Sequence, residues 1–120
     1  MAQYVDGFLL PVPRKKLEAY RQIARKAGRV WREHGAVEYR EWVGDDLKVK
    51  MGVPFTRLVK VKPGETVVFS WIIYKSRAHR DKVNKAAMND PRIGAMMMNK
   101  KMPFDPTRMS MGGFKVLVDA

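Results

Sequence analysis

The run Thr66–Tyr74 constrains this chain most. It reads Thr-Val-Val-Phe-Ser-Trp-Ile-Ile-Tyr and is apolar at both odd and even positions. A strand alternates its side chains between two faces, so one apolar on both is usually central or covered on both sides. At Ser76 the run passes into a helix start that gathers Ser76, Arg77, His79, Arg80 and Asp81. Ser76 is the expected N-cap of a helix reaching about Asn89, ahead of Asp90-Pro91.

The remaining elements fall around that strand. Gln3–Val12 predicts a strand interrupted by Asp6 and Gly7, with Pro11 and Pro13 expected to end it. Arg14–His34 predicts a helix. Leu17, Tyr20, Ala24, Ala27 and Trp31 recur at steps of three and four, with Ile23 and Val30 widening the stripe. Gly35 supplies its stop. Ala36–Val43 predicts a second strand, ending at Gly44-Asp45-Asp46, which reads as a solvated turn. The segment Leu47–Lys62 fits either a short helical turn around Phe55–Val59 or an extra strand, with the helical turn preferred. Arg92–Met98 predicts a short helical piece, Pro103–Met111 a loop, and Gly112–Asp119 the last strand.

The order strand, helix, strand, strand, helix, strand predicts an α+β, ferredoxin-like βαββαβ fold. It has an antiparallel sheet with both helices on one face. The other face stays apolar, and a second subunit is its natural cover. A length of 120 residues predicts a single domain, 1–120. With no cysteine, disulfides, thiolate metal sites and a cysteine nucleophile are excluded, and a cytoplasmic location is expected. The N-terminus has no signal-peptide pattern. No apolar run approaches the roughly 18 residues of a membrane span.

Several stretches together resemble a known family. They are Tyr4-Val5-Asp6-Gly7-Phe8, Pro11-Val12-Pro13, Glu33-His34-Gly35-Ala36, Gly44-Asp45-Asp46 and Glu65–Trp71 with Ser76–Asp81. Asp90-Pro91-Arg92, Pro103-Phe104-Asp105 and Arg108–Phe114 complete the set. The chain is similar to the YbaA-like bacterial domains of unknown function. The resemblance implies a dimeric α/β barrel, in which two ferredoxin-like sheets meet face to face. The wider superfamily implied includes cofactor-independent monooxygenases, haem-degrading enzymes and isomerases, so fold alone does not choose an activity. The basic surface is stronger here than the family leads one to expect.

The candidate site residues come from polar groups in apolar elements. Asp6 interrupts an apolar strand, where a carboxylate needs a partner or a function. An ion pair with Arg77, Arg80 or Arg108 is the structural alternative. His79 shares a helical face with Val83, Ala86 and Ala87, near a helix N-terminus that disfavours imidazolium. It is read as a base, or else as a hydrogen-bonded buried histidine. Trp71 and Phe69 are read as ligand-lining aromatics or plain core. Arg80 and Arg77 are read as oxyanion-binding, with an Arg77–Asp81 helical pair as the alternative.

The expectation is one small-molecule pocket between sheet and helices, with His79 and Asp6 catalytic and Trp71, Arg80, Arg77 and Phe69 binding. An oxidative or isomerising reaction is the extension of that expectation. No cofactor fingerprint is present, and two histidines without close partners do not make a zinc site. The late methionines, Met96, Met97, Met98, Met102, Met109 and Met111, suit adaptable packing.

The net charge of +12 permits a second reading. Between Arg14 and His34 there are eight Lys/Arg and two Glu, six of the twelve excess charges. A binding module using that helix on nucleic acid is the alternative. However, Tyr20 and Trp31 lie on its apolar stripe and offer no stacking platform.

Overall fold

A computed structural model describes residues 3–98 and 101–120. Strand β1 (Tyr4–Pro13) leads through a 3-10 turn into helix α1 (Leu17–Glu33). Strand β2 (Glu38–Val43), the single-turn helix α2 (Phe55–Leu58) and strand β3 (Glu65–Tyr74) follow. Helices α3 (Arg77–Met88) and α4 (Pro91–Met97) precede the last strand, β4 (Ser110–Lys115). The four strands form one antiparallel sheet in the order β2-β3-β1-β4. The ferredoxin-like arrangement and the central place of β3 are as the sequence implies.

Helix exits and entries follow from local chemistry. At the end of α1, Gly35 takes a left-handed φ of +118°. Its N–H donates to the Arg32 carbonyl, and the Ala36 N–H to the Trp31 carbonyl. This double bond pattern is the Schellman stop that a glycine permits. It uses Ala36, so β2 begins at Glu38 rather than Ala36. Ser76 caps α3, its Oγ accepting from the His79 N–H at 3.1 Å. Asp90 caps α4 in the same way.

Two strand ends differ from expectation for one reason, the extent of β4. Strand β1 continues through Pro11 and Pro13. There it pairs only with β3, because its register with β4 stops at Leu9↔Ser110. A missing proline N–H costs nothing on an open edge. At its other end β4 stops at Lys115, opposite Tyr4, where β1 begins. Residues Val116–Asp119 have no strand to pair with, so the expected extension to Asp119 is absent.

One sheet face meets the helices. Leu10, Val12, Tyr20, Ala24 and Val68 form one buried cluster, and Ala36, Ile72, Tyr74 and Val83 a second. Val30, Ala87 and Ile93 join α1 to α3 and α4. Fully burying one of these aliphatic side chains is worth roughly 1.5–3 kcal/mol. Met109 packs on the first cluster and Met96 on the third, whereas Met97, Met98 and Met111 are exposed. No helix among the described residues is long and apolar enough to cross a membrane.

The opposite face carries an aromatic band. Trp42 and Trp71 lie 5.2 Å apart, and Phe69 packs edge-on to Trp71 at 5.5 Å. Phe55 of α2 stacks over Phe69 at 6.5 Å. Phe69 and Trp42 each keep 41% exposure and Phe114 keeps 61%.

Candidate functional site

Pleating decides which candidates can meet. Asp6 pairs across the sheet with Ile72 and therefore faces the helices. Trp71 and Phe69 are out of phase with Ile72 and lie on the aromatic band. The expected single pocket is thus divided by the sheet. Asp6 and Arg80 come together on the helix side, while Trp71 and Phe69 sit on the other. The Trp71 indole N–H donates to Glu38 Oε2 at 2.8 Å.

Asp6 is 3% exposed and anchors a polar network. Arg80 Nη1 donates to its Oδ1 at 3.0 Å, and Asn84 Nδ2 reaches its Oδ2 at 3.5 Å. Asn84 Oδ1 in turn accepts from the Trp31 indole and the Tyr74 hydroxyl, both at 3.0 Å. Arg80 stacks over the Tyr4 ring, 4.9 Å from its centroid. Gly113, opposite Asp6, leaves room for that ring; a side chain there would collide with the Tyr4 hydroxyl. Burial pushes the Asp6 pKa up, against the opposing pull of Arg80, Asn84 and Tyr74. The network joins β1, β3, α1 and α3, and its polar groups are largely spent on one another.

His79 lies on the first turn of α3 with its ring edge-on to Tyr74, centroids 6.1 Å apart. Its Nδ1 accepts from the Lys75 N–H at 3.0 Å. A Cβ built at Gly35 would lie 3.4 Å from its Nε2. Arg77 is exposed and forms no ion pair among the described residues. The expected Arg77–Asp81 pair is replaced by Arg80, whose Nε is 2.9 Å from Asp81 Oδ1. That approach is too poorly aligned for a hydrogen bond, and Arg80 Nε has no hydrogen-bond partner among the described residues. His34 engages Asp90 at 2.9 Å. Among the described residues no cluster of three or more His, Asp or Glu has the arrangement to hold a metal ion.

A cleft of about 750 Å³ opens elsewhere, between α1 and β2. None of Asp6, Phe69, Trp71, Arg77, His79 or Arg80 lines it. Its polar centre is Glu41, which shares the inward phase of β2 with Tyr39 and Val43. The Tyr20 hydroxyl donates to Glu41 Oε1 and the Tyr39 hydroxyl to Oε2, each at 2.7 Å. Burial and the Glu41 carboxylate hold both phenols well above their ordinary pKa, so they remain donors. Leu17, Ala24, Val43 and Val68 supply apolar walls, and Arg21, Arg25, Arg29 and Arg32 stand along the α1 side. Gly28 makes the close packing possible: a Cβ there would meet Tyr39 Cδ1 at 2.6 Å.

Sequence reasoning missed Tyr39 and Glu41. The available signal was phase: a carboxylate at Glu41 alternates with Tyr39 and Val43, so one face of β2 carries all three inward. Tyr20 was placed on the buried stripe, and it is 8% exposed, but its acceptor lies 21 residues away.

The sheet order, with α1 and α3 on one face, defines the class: an α+β, ferredoxin-like fold of the dimeric α/β-barrel type. Solved structures share it. A NIPSNAP domain protein from Burkholderia xenovorans aligns with TM-score 0.56 at 18% identity, covering 98% of this chain and 94% of that one. A NIPSNAP family protein from Agrobacterium tumefaciens aligns with TM-score 0.57 at 16% identity, covering 98% and 86%. At such identities the likeness is one of fold. Residues 3–106 match the family model described as a protein of unknown function, DUF1428. The uncharacterized protein YbaA of Escherichia coli K12 is 41% identical over 117 residues, 98% of each chain. The YbaA protein of Shigella flexneri matches equally. The chain belongs to the DUF1428 family.

Proposed function

We propose that this protein is a cytoplasmic homodimer that binds a small molecule between sheet and helix, in the α1–β2 cleft. The observation that carries the reading is the cleft itself. A volume of about 750 Å³, apolar walls and a Tyr20–Glu41–Tyr39 floor match the usual make-up of small-ligand sites. The dimer is supported by the aromatic band of Trp42, Phe69 and Trp71, whose rings pack on one another, with Phe114 exposed on the same face; exposed apolar surface of this kind is what partners cover. The cleft lies on the other side of the sheet and stays open when that band is buried.

An oxygenase or isomerase activity through Asp6 and His79 has weaker support. The Asp6 oxygens are engaged by Arg80 and Asn84, and His79 Nδ1 by the backbone. The reading therefore keeps the ligand and gives these residues a structural role.

Native mass spectrometry of the purified protein tests it. The expected result is a dimer that retains a small molecule, and a Val43→Trp variant that stays dimeric but loses it. A dimer whose retained mass is indifferent to Val43→Trp would remove the cleft as its site, and a monomer would remove the homodimer.

A further inference from the structure

We infer that the α1–β2 cleft takes an amphiphilic organic oxyanion, a phosphate or carboxylate head on an apolar body. The head rests on Arg25 and Arg29 at the mouth, and the body points toward the sheet. The inference rests on the small-molecule reading and adds the ligand's chemical class and orientation.

The cations come from helical spacing. Arg21, Arg25 and Arg29 recur every fourth residue of α1, which stacks them along one face. Glu18 stands beside them, 3.5 Å from Arg21, and neutralises part of that charge. The Arg32 guanidinium donates to the Val37 carbonyl. Arg25 and Arg29 enter no ion pair among the described residues, whose pairs all involve other cations. Two unpaired guanidinium forks beside a cleft suit an oxyanion better than ammonium groups would.

The floor fixes the direction. Glu41 enters none of the ion pairs found among the described residues and is held by two tyrosine hydroxyls. An anionic head placed on it would meet a carboxylate of like charge, so the head stays at the mouth. Each Glu41 oxygen has lone-pair capacity beyond its one tyrosine bond. A hydroxyl or amine on the ligand body would be accepted there, while Leu17, Val43 and Val68 cover the apolar part. A nucleic acid strand fits less well, because Tyr20 is buried and the hydroxyls of Tyr20 and Tyr39 are both tied to Glu41, which leaves no free ring in the cleft to stack a base.

Isothermal titration of the full-length protein at low salt tests the inference. The probes are hexyl phosphate, heptanoate, inorganic phosphate, hexanol and a short single-stranded RNA. Hexyl phosphate, heptanoate or both are expected to bind at least about tenfold more tightly than inorganic phosphate or hexanol. Which of the two binds distinguishes a phosphate from a carboxylate head. An Arg25→Glu/Arg29→Glu variant should lose at least about tenfold of that affinity and keep the wild-type melting temperature, because both side chains are exposed and unpaired.

Hexanol binding as tightly as the anions, unchanged in the double variant, would overturn the anionic class and leave the small-molecule site standing. Tight, steeply salt-dependent RNA binding lost in the same variant would replace the amphiphile with a polyanion. No binding by any probe would overturn the inference; the site reading itself would fall only if Val43→Trp also left a retained mass unaltered.

Discussion

Asp6 and Arg80 lie 74 residues apart in the chain and 3.0 Å apart in the fold. The contact clamps β1 to α3. Removing one partner of a buried pair strands the other charge, at about 3–5 kcal/mol when burial is complete. Arg80 keeps 20% side-chain exposure, so Asp6→Ala should cost roughly 2–4 kcal/mol by urea denaturation. The Asp6→Ala/Arg80→Met pair should cost less than the sum of the single changes. Additive losses would show that the two residues do not stabilise the fold through each other.

Gly28 shows two effects opposed in sign. Alanine favours a helix interior over glycine by about 1 kcal/mol. Here its Cβ would meet Tyr39 Cδ1 at 2.6 Å, and overpacking of this kind costs about 1–3 kcal/mol. Gly28→Ala should therefore destabilise slightly and weaken ligand binding by displacing Tyr39 from Glu41. A stabilised variant with unchanged binding would mean that Tyr39 yields freely.

Acid stability should depend on Glu65. Arg108 grips it with both terminal nitrogens, at 2.6 and 2.9 Å, and holds its pKa down from 4.5 to about 2. A depressed carboxylate contributes stability in full above its unfolded pKa and loses it as pH falls through the folded one. The contribution should therefore fade between about 4.5 and 2. Asp6 has the opposite sign: with its pKa raised by burial, protonation relieves a cost as pH falls. Denaturation midpoints of Glu65→Gln against wild type isolate the first effect. Parallel curves down to pH 2 would contradict it.

The aromatic band should govern self-association. Phe69 is 41% exposed and packs against Trp71 and Phe55. Phe69→Lys would place a charge at the centre of the proposed interface and should weaken the dimer by at least about 100-fold, read by sedimentation velocity. An unchanged dimer would move the interface elsewhere.

The fold was legible because the signals were local and periodic. The Leu17–Trp31 stripe, the Ser76 cap, the Gly35 stop and the two-sided apolarity of β3 each act within one element. The end of β4 was not legible, since it depends on where β1 begins to offer a partner. The division of the candidate site was half legible. Asp6 needed a charged partner, and Arg80 was among those named. That Trp71 and Asp6 occupy opposite faces required the β1–β3 register, which no single strand states. Glu41 went unnoticed because its tyrosine donors come from α1 and from its own strand, and only folding joins them.

The central claim is that the ligand site is the α1–β2 cleft. Its most direct test is a proton–nitrogen correlation NMR titration of the isotopically labelled protein with hexyl phosphate. The expected shifts cluster on Tyr20–Arg29 of α1 and Tyr39–Val43 of β2. Shifts confined to the surroundings of Asp6, His79 and Arg80 would contradict it.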